Sequence, residues 1–225
     1  MKKIVPVIMI AAAIAIMSFN VHNMKKKIIF FGDSITQAGV EPKGYISVLR
    51  NDLAKQGITD LELVGAGIGG NKVYDLYLRL EDDVLSKSPS VVVIFVGVND
   101  VWHKKSFGTG TDPDKFEKFY RAIIRKIRAS GSKVVVCTPA VVGEKNDFSN
   151  ELDGDLNRYS NIIRAIAVSE NIPLADFRRS FIEYEKANNP GNVEKGILTT
   201  DGVHLNDKGN EFLAQQVWAV LKELK

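Results

Sequence analysis

The chain has 225 residues, 45% hydrophobic and 25% charged, enough for one sizeable core and short for two ordinary domains. Basic and acidic residues number 30 and 27, leaving a net charge of only +3, and the two signs are interspersed, so no nucleic-acid footprint stands out. A single cysteine, Cys137, excludes an internal disulfide and a multi-cysteine metal site, and three histidines without an HExxH or His-rich tract leave metal chemistry little material.

The chain opens with Lys2 and Lys3, an apolar stretch over 4–17 and a polar stretch over 18–23. This reads as a secretory signal at 1–23, leaving a single domain over 24–225 that is periplasmic or secreted. The apolar stretch is short for a membrane span, so none is expected in the mature chain. No A-x-A-like cleavage site follows Met17, and Lys25, Lys26 and Lys27 oppose translocation. A start at Met24, giving a cytoplasmic protein, is the competing reading. No cysteine follows the apolar run to take a lipid anchor.

Apolar, β-branched runs predict strands over 27–31, 61–64, 91–96, 133–137 and 173–177. Stretches of helical period lie at 45–56, 73–85, 113–129, 155–170 and 207–224. Alternating strands and helices, with strands apolar on both faces, predict the α/β class: a three-layer α/β/α sandwich around a parallel, roughly five-stranded sheet. Asp112-Pro113 supplies an N-cap and first-turn proline, and Gly131 follows the same helix. Cys137 reads as a small buried hydrophobe. The charged runs 115–128 and 183–186 read as solvated faces, and the segment from Trp102 as a polar loop.

In such a sheet, ligands bind beyond the carboxyl ends of the strands. There the first strand stops at Gly32-Asp33-Ser34, the second at Gly65-Ala66-Gly67-Ile68-Gly69-Gly70-Asn71, and the third at Gly97-Val98-Asn99-Asp100. A serine hydroxyl needs a base to take its proton, commonly a histidine oriented by a carboxylate. His22 lies in the leader and His103 in the polar segment, whereas His204 sits in Asp201-Gly202-Val203-His204, a spacing that presents carboxylate and imidazole together. His204 is therefore the preferred base and Asp201 its partner. Backbone amides at the Ser34 and Gly70 turns, with the Asn99 side chain, can serve a developing oxyanion.

These four blocks, in this order, resemble the SGNH or GDSL hydrolases from about Lys27 to the end of the chain. The resemblance implies a flavodoxin-like α/β/α fold, with Ser34 as nucleophile, His204 as base and Asp201 as acid. It assigns Ser34, Gly70 and Asn99 to the oxyanion hole, and implies ester hydrolysis without a cofactor or metal. The second block departs from the family pattern: many members carry Asn where Gly65 stands and a polar residue at Gly69.

Gly65-x-Gly67-x-x-Gly70 also matches a dinucleotide-binding GxGxxG. No acidic residue follows at the expected strand end, and Ser34 and His204 would go unexplained. A catalytically inactive carbohydrate-binding protein on the same fold would lack a catalytic residue, and none is lacking. The segments from Trp102 and Ala140 are polar and offer no long apolar channel. The expected substrate is therefore a short acyl group, acetyl foremost, on a polar or carbohydrate alcohol, with lysophospholipase or thioesterase action on longer chains as the alternative.

Overall fold

In the computed structural model, which describes residues 25–224, five parallel strands form one sheet in the order β2-β1-β3-β4-β5. The strands are β1 (Lys26–Gly32), β2 (Leu61–Gly67), β3 (Val91–Phe95), β4 (Lys133–Cys137) and β5 (Leu174–Ala175). The leader read at 1–23 lies outside the described residues. Among the described residues no helix is long and apolar enough to cross a membrane.

Strand alternation builds two cores. Ile28 and Phe30 of β1, with Val93 and Phe95 of β3, face helices α2 (Tyr45–Lys55), α7 (Phe177–Asn188) and α8 (Asp207–Leu221). Ile29 and Phe31, with Val92 and Ile94, face α3 (Val73–Asp83), α5 (Pro113–Ala129) and α6 (Asp153–Glu170). Both faces of each central strand are thus covered, which is why their sequences read as continuous apolar runs rather than alternating ones. On α5 the buried residues Phe116, Tyr120, Ile123, Ile124 and Ile127 keep the 3.6-residue period, while the other face carries its charges to solvent. Cys137 is buried and unpaired.

The three-layer prediction holds, with several local differences. The second strand runs on to Gly67, because Gly65, Ala66 and Gly67 pair with Phe30, Phe31 and Gly32. The fifth shrinks to two residues. The polar segment at Trp102 is largely helical: α4 spans Val98–Phe107 and buries only its first turn, so no apolar period betrays it. A short helix, α1 (Ser34–Ala38), follows β1 directly. Helix α7 was not expected, and with it comes a correction: within the run read as solvated, Glu185 is buried.

The order 2-1-3-4-5 reverses direction between β1 and β3, so their outgoing connections leave to opposite faces and open a crevice above the carboxyl ends. Ser34 follows β1 and Asn99 follows β3. The fold alone brings these two loops to one place.

Candidate active site

Asp33 makes the turn from β1 into α1. Its side chain caps the helix by accepting from the Ile35 N–H at 3.0 Å, which leaves Ser34 at the first helical position. Asp33 thus serves as the helix cap, and the Ser34 side chain is left to face His204. The Ser34 Oγ lies 3.0 Å from His204 Nε2, and His204 Nδ1 lies 2.7 Å from Asp201 Oδ2. With Nδ1 carrying the proton toward the carboxylate, Nε2 is left to accept from the serine hydroxyl.

Asp201 is fixed twice over. Its Oδ1 accepts from the backbone N–H groups of Val203 at 2.9 Å and His204 at 2.8 Å. Burial pushes this carboxyl upward, but the hydrogen bonds from the His204 ring and from those two amides outweigh it and hold it below the usual carboxylate range. It is charged at neutral pH, as a partner for a developing imidazolium must be. Asn206 closes the turn by capping α8 through the Gly209 N–H at 2.9 Å.

Next to the serine lies the loop after β2. Gly70 has φ +74°, a left-handed conformation that glycine adopts freely. Gly69 donates its N–H to Gln37 Oε1 at 2.7 Å, tying this loop to the serine's own helix. Among the described residues neither the Ser34 nor the Gly70 N–H finds an acceptor. The buried Asn99 uses one side-chain N–H on the Asn71 carbonyl at 3.2 Å and keeps a second.

The structure gives the remaining glycines of the second block a packing role. A Cβ at Gly65 would meet Val40 Cγ1 at 2.4 Å, and one at Gly67 would meet Gln37 N at 2.1 Å. The GxGxxG pattern thus lets α1 and its following turn lie against β2, with its first two glycines still inside the strand.

His103 sits on α4, beside Gly70, with its ring 5.0 Å from that of Phe107. Burial and then the charge of Lys72 depress its pKa. The Trp102 ring stands edge to face with His204 at 6.3 Å and walls the site on that side. Beneath, burial raises the carboxyl of Asp33 to about 7, helped by the charge of Asp100 and opposed by the Ile35 N–H and by His204. Burial likewise raises Asp100 to about 7. The sequence reading missed Arg79, whose guanidinium donates to the carbonyls of Gly32 (2.7 Å) and Ala66 (3.1 Å) and to Asn71 Oδ1 (2.7 Å). It lashes together the ends of β1 and β2 and the glycine loop. Nothing in the helical period of α3 signals this; only the strand order brings those carbonyls together. Gln37 was within reach of the sequence, one helical turn beyond Ser34.

The sequence profile of the GDSL-like lipase/acylhydrolase family matches residues 30–212. An acetyl xylan esterase of known structure, AlAXEase, is 63% identical; the match covers 86% of this chain and 98% of that one, with a TM-score of 0.85. An acetylxylan esterase from Geobacillus stearothermophilus is 27% identical over 218 residues, 88% of this chain and 94% of its own. Esterase TesA from Pseudomonas aeruginosa is 25% identical over 222 residues, 96% and 98% of the two chains. With a family profile that runs over residues 30–212 and so over all four blocks, the chain belongs to the GDSL-like lipase/acylhydrolase family.

Proposed function

We propose that this chain is a serine esterase that removes acetyl groups from a carbohydrate alcohol, with Ser34, His204 and Asp201 as its triad. The observation that carries the reading is the hydrogen-bonded series Ser34 Oγ, His204 Nε2, His204 Nδ1, Asp201 Oδ2, at 3.0 and 2.7 Å. As Ser34 Oγ attacks the ester carbonyl carbon, its proton passes to His204 Nε2. The carbonyl oxygen becomes an oxyanion held by the Ser34 and Gly70 N–H groups and the second Asn99 amide hydrogen. Collapse breaks the bond to the alcohol, which leaves with the proton from His204. Water then attacks the acetyl-serine, giving its proton to the same nitrogen, and acetate departs as Ser34 recovers its own.

The acetyl preference and carbohydrate alcohol are supported by the two acetylxylan esterase relatives and by the cavity beside Asp201. On the Asp201 side, next to the site, a cavity of about 240 Å³ runs from Trp102, lined by Lys105, Ser106, Asn150 and Glu194 together with the apolar Val142, Leu152 and Val203. An aromatic edge with hydroxyl, amide and charged groups suits a sugar better than a fatty chain. The expected profile on aryl esters falls from acetyl through butyryl to longer acyl groups and does not change in EDTA. A maximum at eight carbons or more would replace this reading with lysophospholipase or thioesterase action, and loss of activity in EDTA would remove the metal-free mechanism.

The reading of 1–23 as a secretory leader supports export of the enzyme. N-terminal sequencing of the protein from its native host is expected to give a start beyond Asn20. A cytoplasmic product beginning at Met24 would overturn this.

A further inference from the structure

Between α7 and α8 the chain forms almost no regular structure, yet this stretch presents both Asp201 and His204. Backbone amides in such a segment need acceptors from elsewhere. Three consecutive ones find the same side chain. The N–H of Ile197 donates to Glu144 Oε2 at 2.8 Å, and those of Leu198 and Thr199 donate to Glu144 Oε1 at 2.6 and 2.8 Å. Glu144 is fully buried. It is itself held, its N–H on the Glu194 carbonyl at 2.9 Å and its carbonyl accepting from Asn189 Nδ2 at 2.7 Å.

From this anchor the path to the imidazole is short. Thr199 Oγ1 accepts from the Gly202 N–H at 3.0 Å, and Thr199 bridges Leu205 in antiparallel fashion. The turn of Asp201 to His204 hangs between those two residues, closed by the Thr200 N–H on the His204 carbonyl at 2.8 Å. On the far side, Leu198 O accepts from the Asn206 N–H at 3.0 Å, which fixes where α8 begins.

We infer that Glu144 is a positioning residue for the base: its carboxylate sets the height of the turn from which Asp201 and His204 project, and so the 3.0 Å reach of His204 to Ser34. The inference rests on the reading of His204 as base. A carboxylate is required because it offers only lone pairs to three converging donors. A glutamine of the same shape turns an NH₂ toward at least one of those N–H groups and repels it. Asp33, whose charge reaches His204 from beneath the site, takes no part in this anchor.

Glu144→Gln is expected to lower kcat on an aryl acetate roughly 10- to 100-fold, the scale of a small misplacement of a catalytic group, with KM within about twofold. The acidic limb of kcat/KM against pH is expected to move to lower pH, because an imidazolium less well seated against Asp201 is less stabilised. Both are read at a temperature where circular dichroism shows the variant folded. A folded variant that melts earlier but keeps the wild-type kcat and the wild-type limb overturns the inference, since a purely structural carboxylate would act in that way. Thr199→Val removes the acceptor one link nearer the histidine and carries the same expectation, and the same overturning result, should Glu144→Gln not fold. His204→Ala is the control for the underlying reading: substantial turnover in it refutes His204 as base, whatever the other two variants do.

Discussion

Ser34→Ala and His204→Ala are each expected to lower kcat on an aryl acetate by roughly 10⁶-fold, and the double variant to be little worse than either. A nucleophile and its base act as one unit, so removing the second after the first takes away nothing further. The residual rate comes from the oxyanion donors and substrate binding, which neither substitution touches. Asp201→Asn keeps the shape but offers Nδ1–H a poorer partner and favours the wrong tautomer, for a loss of roughly 10⁴. Asn99→Ala removes one of the three proposed donors to a charge that exists only in the transition state, so roughly 10² to 10³ is expected to be lost, mostly in kcat. His103→Ala stays within about tenfold, because that imidazole lies against Gly70 and Phe107 and outside the hydrogen-bonded series. Turnover abolished in His103→Ala but kept in His204→Ala would show that the base, and Asp201 with it, has been assigned wrongly.

How far the sequence foretold this arrangement depends on the range of the interactions involved. The strands β1, β3 and β4 and the helices α2, α3, α5, α6 and α8 are visible because burial on a sheet face or one helical stripe imposes a period on nearby residues. The proposed triad could be named for a different reason: the chemistry it would perform restricts each position to very few residue types, and Asp201 and His204 are only three apart. Helix α4 escaped because a single buried turn leaves no period. Helix α7 escaped because its buried residues include Arg178 and Glu185, which read as surface. Arg79 and Glu144 escaped for a deeper reason. Each serves backbone groups far away in sequence, 47 residues for Arg79 and Gly32, and 53 to 55 for Glu144 and its three amides. No local pattern encodes such a partner, and only the assembled topology reveals it.

The buried charges of α7 carry the second large effect, this time on stability. Arg178 donates to Asp153 Oδ1 at 2.5 Å, to Asn157 Oδ1 at 2.8 Å and to the Ala140 carbonyl at 3.2 Å, so one guanidinium joins α6, α7 and the segment after β4. Asp153 is also held by Asn150 Nδ2 at 3.0 Å. Arg178→Met fills much of the same volume but leaves Asp153 buried without its cation, and is expected to cost about 3–5 kcal/mol in urea unfolding at pH 7. Glu185, beside this cluster, supplies a pH signature. Burial, and after it the charge of Glu144, raise its carboxyl to about 9 against the opposing pull of Arg178. The folded state therefore keeps a proton that the unfolded chain releases near the ordinary value of 4.5. The stability due to this group is complete below pH 4.5 and drains away as pH rises toward 9. Glu185→Gln, which mimics the protonated form at every pH, is expected to match wild type near pH 4 and to exceed it at pH 8 by up to roughly 5 kcal/mol, the linkage limit for a carboxyl raised from 4.5 to about 9. A gap that is the same at pH 4 and pH 8 would mean that Glu185 titrates as an exposed carboxylate does. An Arg178→Met variant within 1 kcal/mol of wild type would mean that water reaches Asp153, and that the cluster is not the sealed junction its hydrogen bonds describe.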